Sequence, residues 1–188
     1  MELDIKDIPQ HIPLHLHTEY SLLDGASRIK DLIKKAKLNN IPALAITDHG
    51  VMYGALELYR TAKSEGIKPI IGCEIYIVNG DHKDKSAKSQ LYHLILLAKN
   101  DEGYINLSKI VTESSLNGFY YKPRISKDFL KKHNKGLIAL TACLGGEVPN
   151  TILKNKYEEA REIAEFYKSI YKDDFYLEVQ DHGIAEEK

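Results

Sequence analysis

The sequence predicts an α/β fold of alternating strands and helices, and three observations carry that prediction. Short apolar runs alternate along the chain with segments of helical periodicity. The runs at Ala43–Thr47 and Leu137–Thr141 are apolar almost throughout, as strands covered on both faces should be. Side chains suited to catalysis or metal binding follow these runs. That is where β/α barrels and open parallel sheets collect their functional groups.

In chain order, Ile12 to Leu16 reads as the first strand. Ser27 caps a helix whose apolar positions Ile29, Leu32, Ile33 and Ala36 recur at helical spacing, and Asn39, Asn40 and Pro42 end it. Ala43 to Thr47 is the second strand. A helix from Gly54 to Ser64 follows, with Leu58, Tyr59 and Ala62 inward and Gly66 as its stop. Pro69 to Val78 is the third strand, and the polar stretch Asn79 to Gln90 reads as an exposed, mobile loop. Leu91 to Ala98 is the fourth strand. Asp101 caps a helix with Tyr104, Leu107, Ile110 and Val111 on one stripe. Gly118 to Arg124 is a connector, and Ser126 opens a short helix ending near His133. Leu137 to Thr141 is the fifth strand, followed by a Gly145-Gly146 turn. Tyr157 to Tyr171 is a helix with Ala160, Ala164, Tyr167 and Ile170 on one side. Alternation at Phe175, Leu177 and Val179 gives the sixth strand, and a polar tail runs from Gln180 to Lys188. Six strands are too few for an eight-fold barrel. The last strand has no covering helix after it, so a truncated domain is expected.

A length of 188 residues fits about one domain, and 43% apolar with 28% charged residues is ordinary for a globular protein. The net charge of −1 gives no overall footprint for nucleic acid, which leaves a local patch or a partner domain as the routes to DNA. No apolar run approaches the roughly 20 residues of a membrane span. The acidic N-terminus lacks the apolar centre of a signal peptide, so a cytoplasmic protein is expected. Cys73 and Cys143 lie outside any Cys-x-x-Cys pair. Each reads as a small buried residue or, for one of them, as a metal ligand.

The chemistry gathers first at Pro13-Leu-His-Leu-His-Thr-Glu-Tyr-Ser-Leu-Leu-Asp24. On a strand, His15 and His17 share a face, and Asp24 follows seven residues after His17. Asp48 and His49 follow strand two, Glu74 lies in strand three and Cys143 follows strand five, so four of the first five strands present ligand-type groups. His93 precedes the apolar run of its strand rather than following it, and fits only if that run returns antiparallel to the third strand. Otherwise it reads as a core histidine. Other readings stay open: Asp48 as a helix N-cap, Asp24 as a turn former, Cys143 as plain core. Glu74 between Ile and Cys needs a partner or a cation, because a lone buried carboxylate is costly. Lys122 and Arg124 are candidates for a substrate phosphate, against a solvated charge pair. His11, His82, His133 and His182 read as surface residues. Imidazoles, carboxylates and a thiolate suit Zn²⁺ best, with Mn²⁺ or Fe²⁺ as alternatives, and more than four ligands implies more than one ion. Clustered divalent ions suit phosphoester hydrolysis.

Several segments resemble the polymerase and histidinol phosphatase (PHP) family. They are His-Leu-His-Thr-Glu-Tyr-Ser-Leu-Leu-Asp-Gly at 15–25, Ala-Ile-Thr-Asp-His-Gly at 45–50, Gly-Cys-Glu-Ile-Tyr at 72–76 and His-Leu-Ile-Leu-Leu-Ala-Lys-Asn at 93–100. Gly-Tyr-Ile-Asn-Leu at 103–107, Tyr-Lys-Pro-Arg at 121–124 and Thr-Ala-Cys-Leu-Gly-Gly-Glu at 141–147 complete the set. Together they are similar to the branch found at the N-termini of bacterial DNA polymerase III alpha subunits. The resemblance implies a (β/α)7 TIM-like barrel with up to three divalent ions at its mouth, held by His15, His17, Asp24, His49, Glu74, His93 and Cys143. It places Asp48 beside the site, supporting a ligand or acting on the water, and makes Asp48 and His49 the candidate catalytic residues. Some family members use this site for metal-dependent 3′–5′ proofreading, and in others it is a structural platform. The implied partners are DNA, through a parent polymerase, together with the remaining polymerase domains and replisome subunits, and no membrane. One departure stands out: the family's last ligands, in an Asn-Asp-x-His segment, are absent. Residues 1–188 are therefore expected to be a partial PHP domain without a polymerase core, its barrel left open and its apolar faces exposed. A stand-alone phosphatase acting on a small phosphate ester and a non-catalytic scaffold are the competing readings.

Overall fold

The computed structural model describes residues 11–22, 24–85 and 90–187. Helices α1 (Ile29–Leu38) and α2 (Ala55–Ser64) flank strand β1 (Ala43–Ile46). Ile29, Ile33 and Ala36 of α1 meet Leu58 and Ala62 of α2 over Leu44 and Ile46 of β1. Strand β2 (Lys68–Val78) organises the rest. Its first half, Lys68–Ile71, pairs with β1 in parallel. Its second half, Gly72–Val78, pairs with β3 (Leu91–Ala98), which runs antiparallel. On the edge opposite β3, Tyr76–Val78 also pairs in parallel with β5 (Lys122–Ser126). A short β4 (Phe119–Tyr120) forms a hairpin with β5. Strand β6 (Leu137–Leu140) lies antiparallel on β3, and β7 (Phe175–Tyr176) lies parallel on β6.

Side-chain alternation along β2 and β3 divides the sheet into two faces. Cys73, Ile75 and Ile77, with Leu94 and Leu96 of β3, face a core built with helices α3 (Asp101–Leu116), α4 (Lys127–Lys132) and α6 (Tyr157–Tyr171). Leu107, Ile110, Leu130, Tyr167 and Tyr171 are the helical side of that core. Each fully buried leucine or isoleucine there contributes about 2 kcal/mol from apolar burial. The intervening residues, Glu74 and Tyr76 with His93 opposite Tyr76, take the other face. Helix α5 (Glu147–Leu153) follows the Gly145-Gly146 turn and packs on α6.

The α/β class is as expected, but the sheet is mixed rather than parallel, and its strands do not close on themselves among the described residues. A groove of about 900 Å³ is lined by His11–His15, Lys68–Ile70, Leu97–Lys99 and Tyr176–His182. Ile12–Leu16 is not a regular strand. It runs beside β1 through Ala45 N–H to Pro13 O (3.1 Å) and Thr47 N–H to Leu16 O (2.8 Å). Pro13 has no N–H to give, and Leu16 N–H goes to the Thr47 hydroxyl, so no ladder forms. The expected connector at 118–124 contains the β4–β5 hairpin, and α5 was not expected at all. The sixth strand stops at Tyr176. Asn100, not Asp101, caps α3, accepting from Gly103 N–H at 2.9 Å. Arg28, not Ser27, occupies the α1 N-cap. Tyr59 of α2 and Tyr104 of α3 are exposed rather than inward. Of the loop expected to be mobile, residues 86–89 lie outside the described residues. Among the described residues, no helix is long and apolar enough to cross a membrane.

Candidate metal centre

Glu74 is the middle of the site. It is fully buried, yet its carboxylate meets four imidazoles. His93 Nδ1 lies 2.6 Å from Oε1, while His17 Nε2, His15 Nε2 and His49 Nδ1 lie 2.9, 3.1 and 3.3 Å from Oε2. The antiparallel return of β3 brings His93 here, so the condition set on it from sequence is met. Gly145 makes room for that ring: a Cβ there would sit 2.9 Å from His93 Nδ1. The Asp48-His49-Gly50 turn extends β1 alongside β2, with Glu74 N–H bonded to Asp48 O and Gly50 N–H to Glu74 O. Gly50 has φ of +66°, and its α-carbon packs against Pro123, which leaves no space for a Cβ.

Asp24 is half exposed, 2.8 Å from His49 Nε2 and 3.9 Å from His17 Nε2. Cys143 Sγ is 3.9 Å from Glu74 Oε1 and 3.8 Å from His93 Nδ1. Cys73 is instead a buried thiol on the core face, where burial pushes its pKa up. The rings of His17 and His49 stack at 4.3 Å, and Tyr76 stacks on His49 at 5.6 Å. Lys122 Nζ sits 5.3 Å from the Tyr76 ring centre, at the rim.

Two sequence candidates behave otherwise. Asp48 is not a helix N-cap, since α2 begins with Gly54 at its cap. Its carboxylate accepts Thr18 N–H (2.6 Å), Thr18 Oγ1–H (2.8 Å) and Ser21 Oγ–H (2.7 Å). It therefore clamps the turn that follows His17. Arg124 is neither a solvated charge nor a phosphate contact. It is 2% exposed and donates to the carbonyls of Gly118, His82 and Asp84 at 3.1, 3.2 and 2.9 Å. Its guanidinium is used up holding the loop after β2 to the β4–β5 hairpin. His82 is likewise not a surface residue. It is buried, with Nδ1 at 2.9 Å from Ser126 Oγ and Nε2 at 3.0 Å from Glu113.

Sequence reasoning missed Glu178. Its Oε1 lies 2.7 Å from His15 Nδ1 and accepts from Gln180 Nε2 at 2.6 Å. The alternation of Phe175, Leu177 and Val179 already placed Glu178 on the other face, just past a strand end, where a candidate should have been sought.

The electrostatics follow from this packing. Burial opposes charge on His15, but the Glu178 and Glu74 carboxylates outweigh it and hold the imidazolium up to about 10. Burial likewise opposes charge on His93, which Cys143 and Glu74 raise to about 9. Burial lowers His49, helped by His17 and His93. Burial works against the Glu74 carboxylate, yet the hydrogen bonds from His15, His17 and His93 hold its pKa well below the usual range. A cation entering this cluster would have to displace protons from the imidazoles around Glu74.

Three sets of side chains each offer ligand atoms within 4.8 Å of one another: His15, His17 and Glu74; His17, Asp24 and His49; His49, Glu74 and His93. The buried Nδ1 atom of His17 has no hydrogen-bond partner, and that of His49 has only the Glu74 carboxylate near it, at 3.3 Å. A mixed nitrogen and oxygen set with a thiol at its edge fits Zn²⁺, Mn²⁺ or Fe²⁺.

A family model described as "PHP domain" matches residues 13–182. The DNA polymerase III subunit alpha of Borreliella burgdorferi is 49% identical over 179 residues, covering 94% of this chain and 16% of that protein. The subunit of the same name from Helicobacter pylori strain 26695 is 49% identical over 185 residues, covering 93% of this chain and 15% of its own length. That of Treponema pallidum is 45% identical over 181 residues, covering 94% and 16%. The chain thus spans about one sixth of the length of these curated relatives.

Proposed function

Since this chain belongs to the PHP domain family, we propose that it is the N-terminal PHP portion of a replicative DNA polymerase alpha subunit, and that its site is a metal-dependent phosphoesterase acting as a 3′–5′ exonuclease. The observation that carries this is the buried Glu74 carboxylate with four imidazoles around it. A buried carboxylate ringed by imidazoles is held either by their protons or by a cation, and the convergence of so many ligand-type groups favours the cation. In this reading His15, His17, Asp24, His49, Glu74, His93 and Cys143 hold up to three divalent ions, Zn²⁺ first. The relatives' identity to residues along almost the whole chain supports the polymerase context. The sheet belongs to a (β/α)7 barrel, and the activity reaches DNA through the parent polymerase, its further domains and the replisome, in the cytoplasm.

Divalent ions held by these residues would supply Lewis-acid polarisation of a phosphate oxygen and a water of lowered pKa. The chain's own residues supply the frame. Asp48 fixes the turn after His17. Tyr76 walls one side of His49, and Lys122 at the rim pairs with the substrate phosphate. Arg124 has no part in that contact.

The test is metal analysis of the 188-residue chain, followed by digestion of a 3′-labelled single strand by wild type and His17→Ala. Wild type should carry Zn²⁺ and shorten the strand, and the variant should lose at least tenfold of that rate. Equal digestion by both proteins would refute the exonuclease. Turnover confined to p-nitrophenyl phosphate would favour a small-ester phosphatase. Stoichiometric metal with no turnover of either substrate would favour a scaffold.

A further inference from the structure

His15 stands between two carboxylates. Its Nε2 faces Glu74 at 3.1 Å, and its Nδ1 faces Glu178 at 2.7 Å. A carboxylate can only accept, so a neutral His15 that keeps its bond to Glu178 carries its proton on Nδ1. The Nε2 lone pair then points toward Glu74, where His17 Nε2 and His93 Nδ1 also converge. The ring of His17 has no such backing, since its buried Nδ1 has no hydrogen-bond partner, whereas His49 meets the half-exposed Asp24 at 2.8 Å through Nε2.

Glu178 is fixed from behind. Strand β7 pairs Phe175 and Tyr176 with Ala139 and Leu140, Thr141 N–H bonds to Tyr176 O at 3.2 Å, and Glu178 N–H bonds to Thr141 Oγ1 at 2.8 Å. Its Oε1 accepts from Gln180, while Oε2 is buried without a partner. The carboxylate is therefore aimed before any ligand arrives.

We infer that Glu178 is a positioning residue of the metal centre, holding His15 in the Nδ1–H tautomer so that Nε2 is presented to the cation. This rests on the reading of His15 as a ligand. It adds a residue just past β7 to a site built otherwise from the segment before α1, the turn after β1, strands β2 and β3, and the turn after β6. A carboxylate behind a ligating histidine fixes ring orientation and raises basicity, and its loss commonly lowers metal affinity by 10–100-fold.

The experiment measures Zn²⁺ affinity of the 188-residue chain by competition with a chelator, alongside ¹⁵N shifts of the His15 ring. Wild type loaded with Zn²⁺ should show a protonated Nδ1 and a metal-shifted Nε2. Glu178→Ala should weaken Zn²⁺ binding by at least tenfold and lose the single tautomer. Glu178→Gln, whose amide oxygen can still accept from Nδ1, should recover part of both. A role confined to anchoring the chain would lower the melting temperature of the metal-free variants and leave the ring shifts and affinity unchanged, and that result overturns the inference alone. Wild type that binds no Zn²⁺ overturns it together with the metal reading.

Discussion

His93 Nδ1 and Glu74 Oε1 lie 2.6 Å apart although the residues sit on different strands and are not register partners. Glu74 is opposite Ile95, and His93 is opposite Tyr76, so the two side chains are diagonal neighbours on one face. That diagonal exists only because β3 turns back along β2. Removing the carboxylate would leave four imidazoles converging on nothing. Glu74→Gln should abolish stoichiometric Zn²⁺ binding and cost the metal-free protein about 3 kcal/mol, the usual scale for breaking a buried charge network. Metal analysis and urea unfolding of the same preparations check both.

Asp48 should matter through the turn it clamps. Its two oxygens take one backbone N–H and two hydroxyls, all buried. Hydrogen bonds to a charged group are each worth about 1.5–3 kcal/mol. Asp48→Ala should therefore destabilise by about 3–5 kcal/mol, with Asp48→Asn losing less because its amide oxygen can keep one or two of the bonds. Urea midpoints order the three proteins, and Zn²⁺ affinity should fall in the same order.

Arg124→Lys tests the reassignment of that residue. An ammonium lacks the planar fork that reaches Gly118, His82 and Asp84 carbonyls together. The substitution should cost about 2–4 kcal/mol through carbonyls left unsatisfied in the interior. It should also speed proteolysis of the loop after β2. A raised KM for phosphate substrates with unchanged stability would contradict the structural role.

Protons and cations should compete for the cluster. Without metal, His15 and His93 are held protonated up to about 10 and about 9. Both values lie above the unfolded imidazole value of about 6.5. The stability these charges bring is fully present below about 6.5 and is lost as pH rises through 9 to 10. The metal-free protein should therefore become steadily easier to unfold with urea between pH 7 and pH 10, and saturating Zn²⁺ should flatten that slope. At pH 7 Zn²⁺ binding should release protons, visible as a calorimetric heat that depends on the ionisation enthalpy of the buffer.

Much of this was legible in the residues. Imidazoles, carboxylates and a thiol at strand ends pointed to a candidate site, and His15, His17, Asp24, His49, Glu74, His93 and Cys143 do lie close together. What escaped notice depends on contacts between distant segments. Whether Arg124 faces water or three carbonyls is decided by where the loop after β2 returns, and no local pattern records that. His82 is buried for the same reason. Helix α5 is a short helix beginning after two glycines, with Pro149 in its first turn, so it gives little periodicity to read. Glu178 was within reach of the alternation rule, since it stands between Leu177 and Val179 on the face opposite to theirs.

Strand β2 is clasped by β1 and β5 on one edge and by β3 on the other. A strand held on both sides does not breathe open readily, so Glu74 cannot be uncovered without unzipping the middle of the sheet. Traffic in and out of the cluster must therefore use its looser flank. There the Asp24 side chain is 54% exposed, against 1% for Glu74. On the proposed metal-binding reading, an arriving cation would meet the exposed Asp24 carboxylate before the dry Glu74. The rate at which chelators strip the protein should accordingly respond to changes at Asp24 far more than to changes around Cys143.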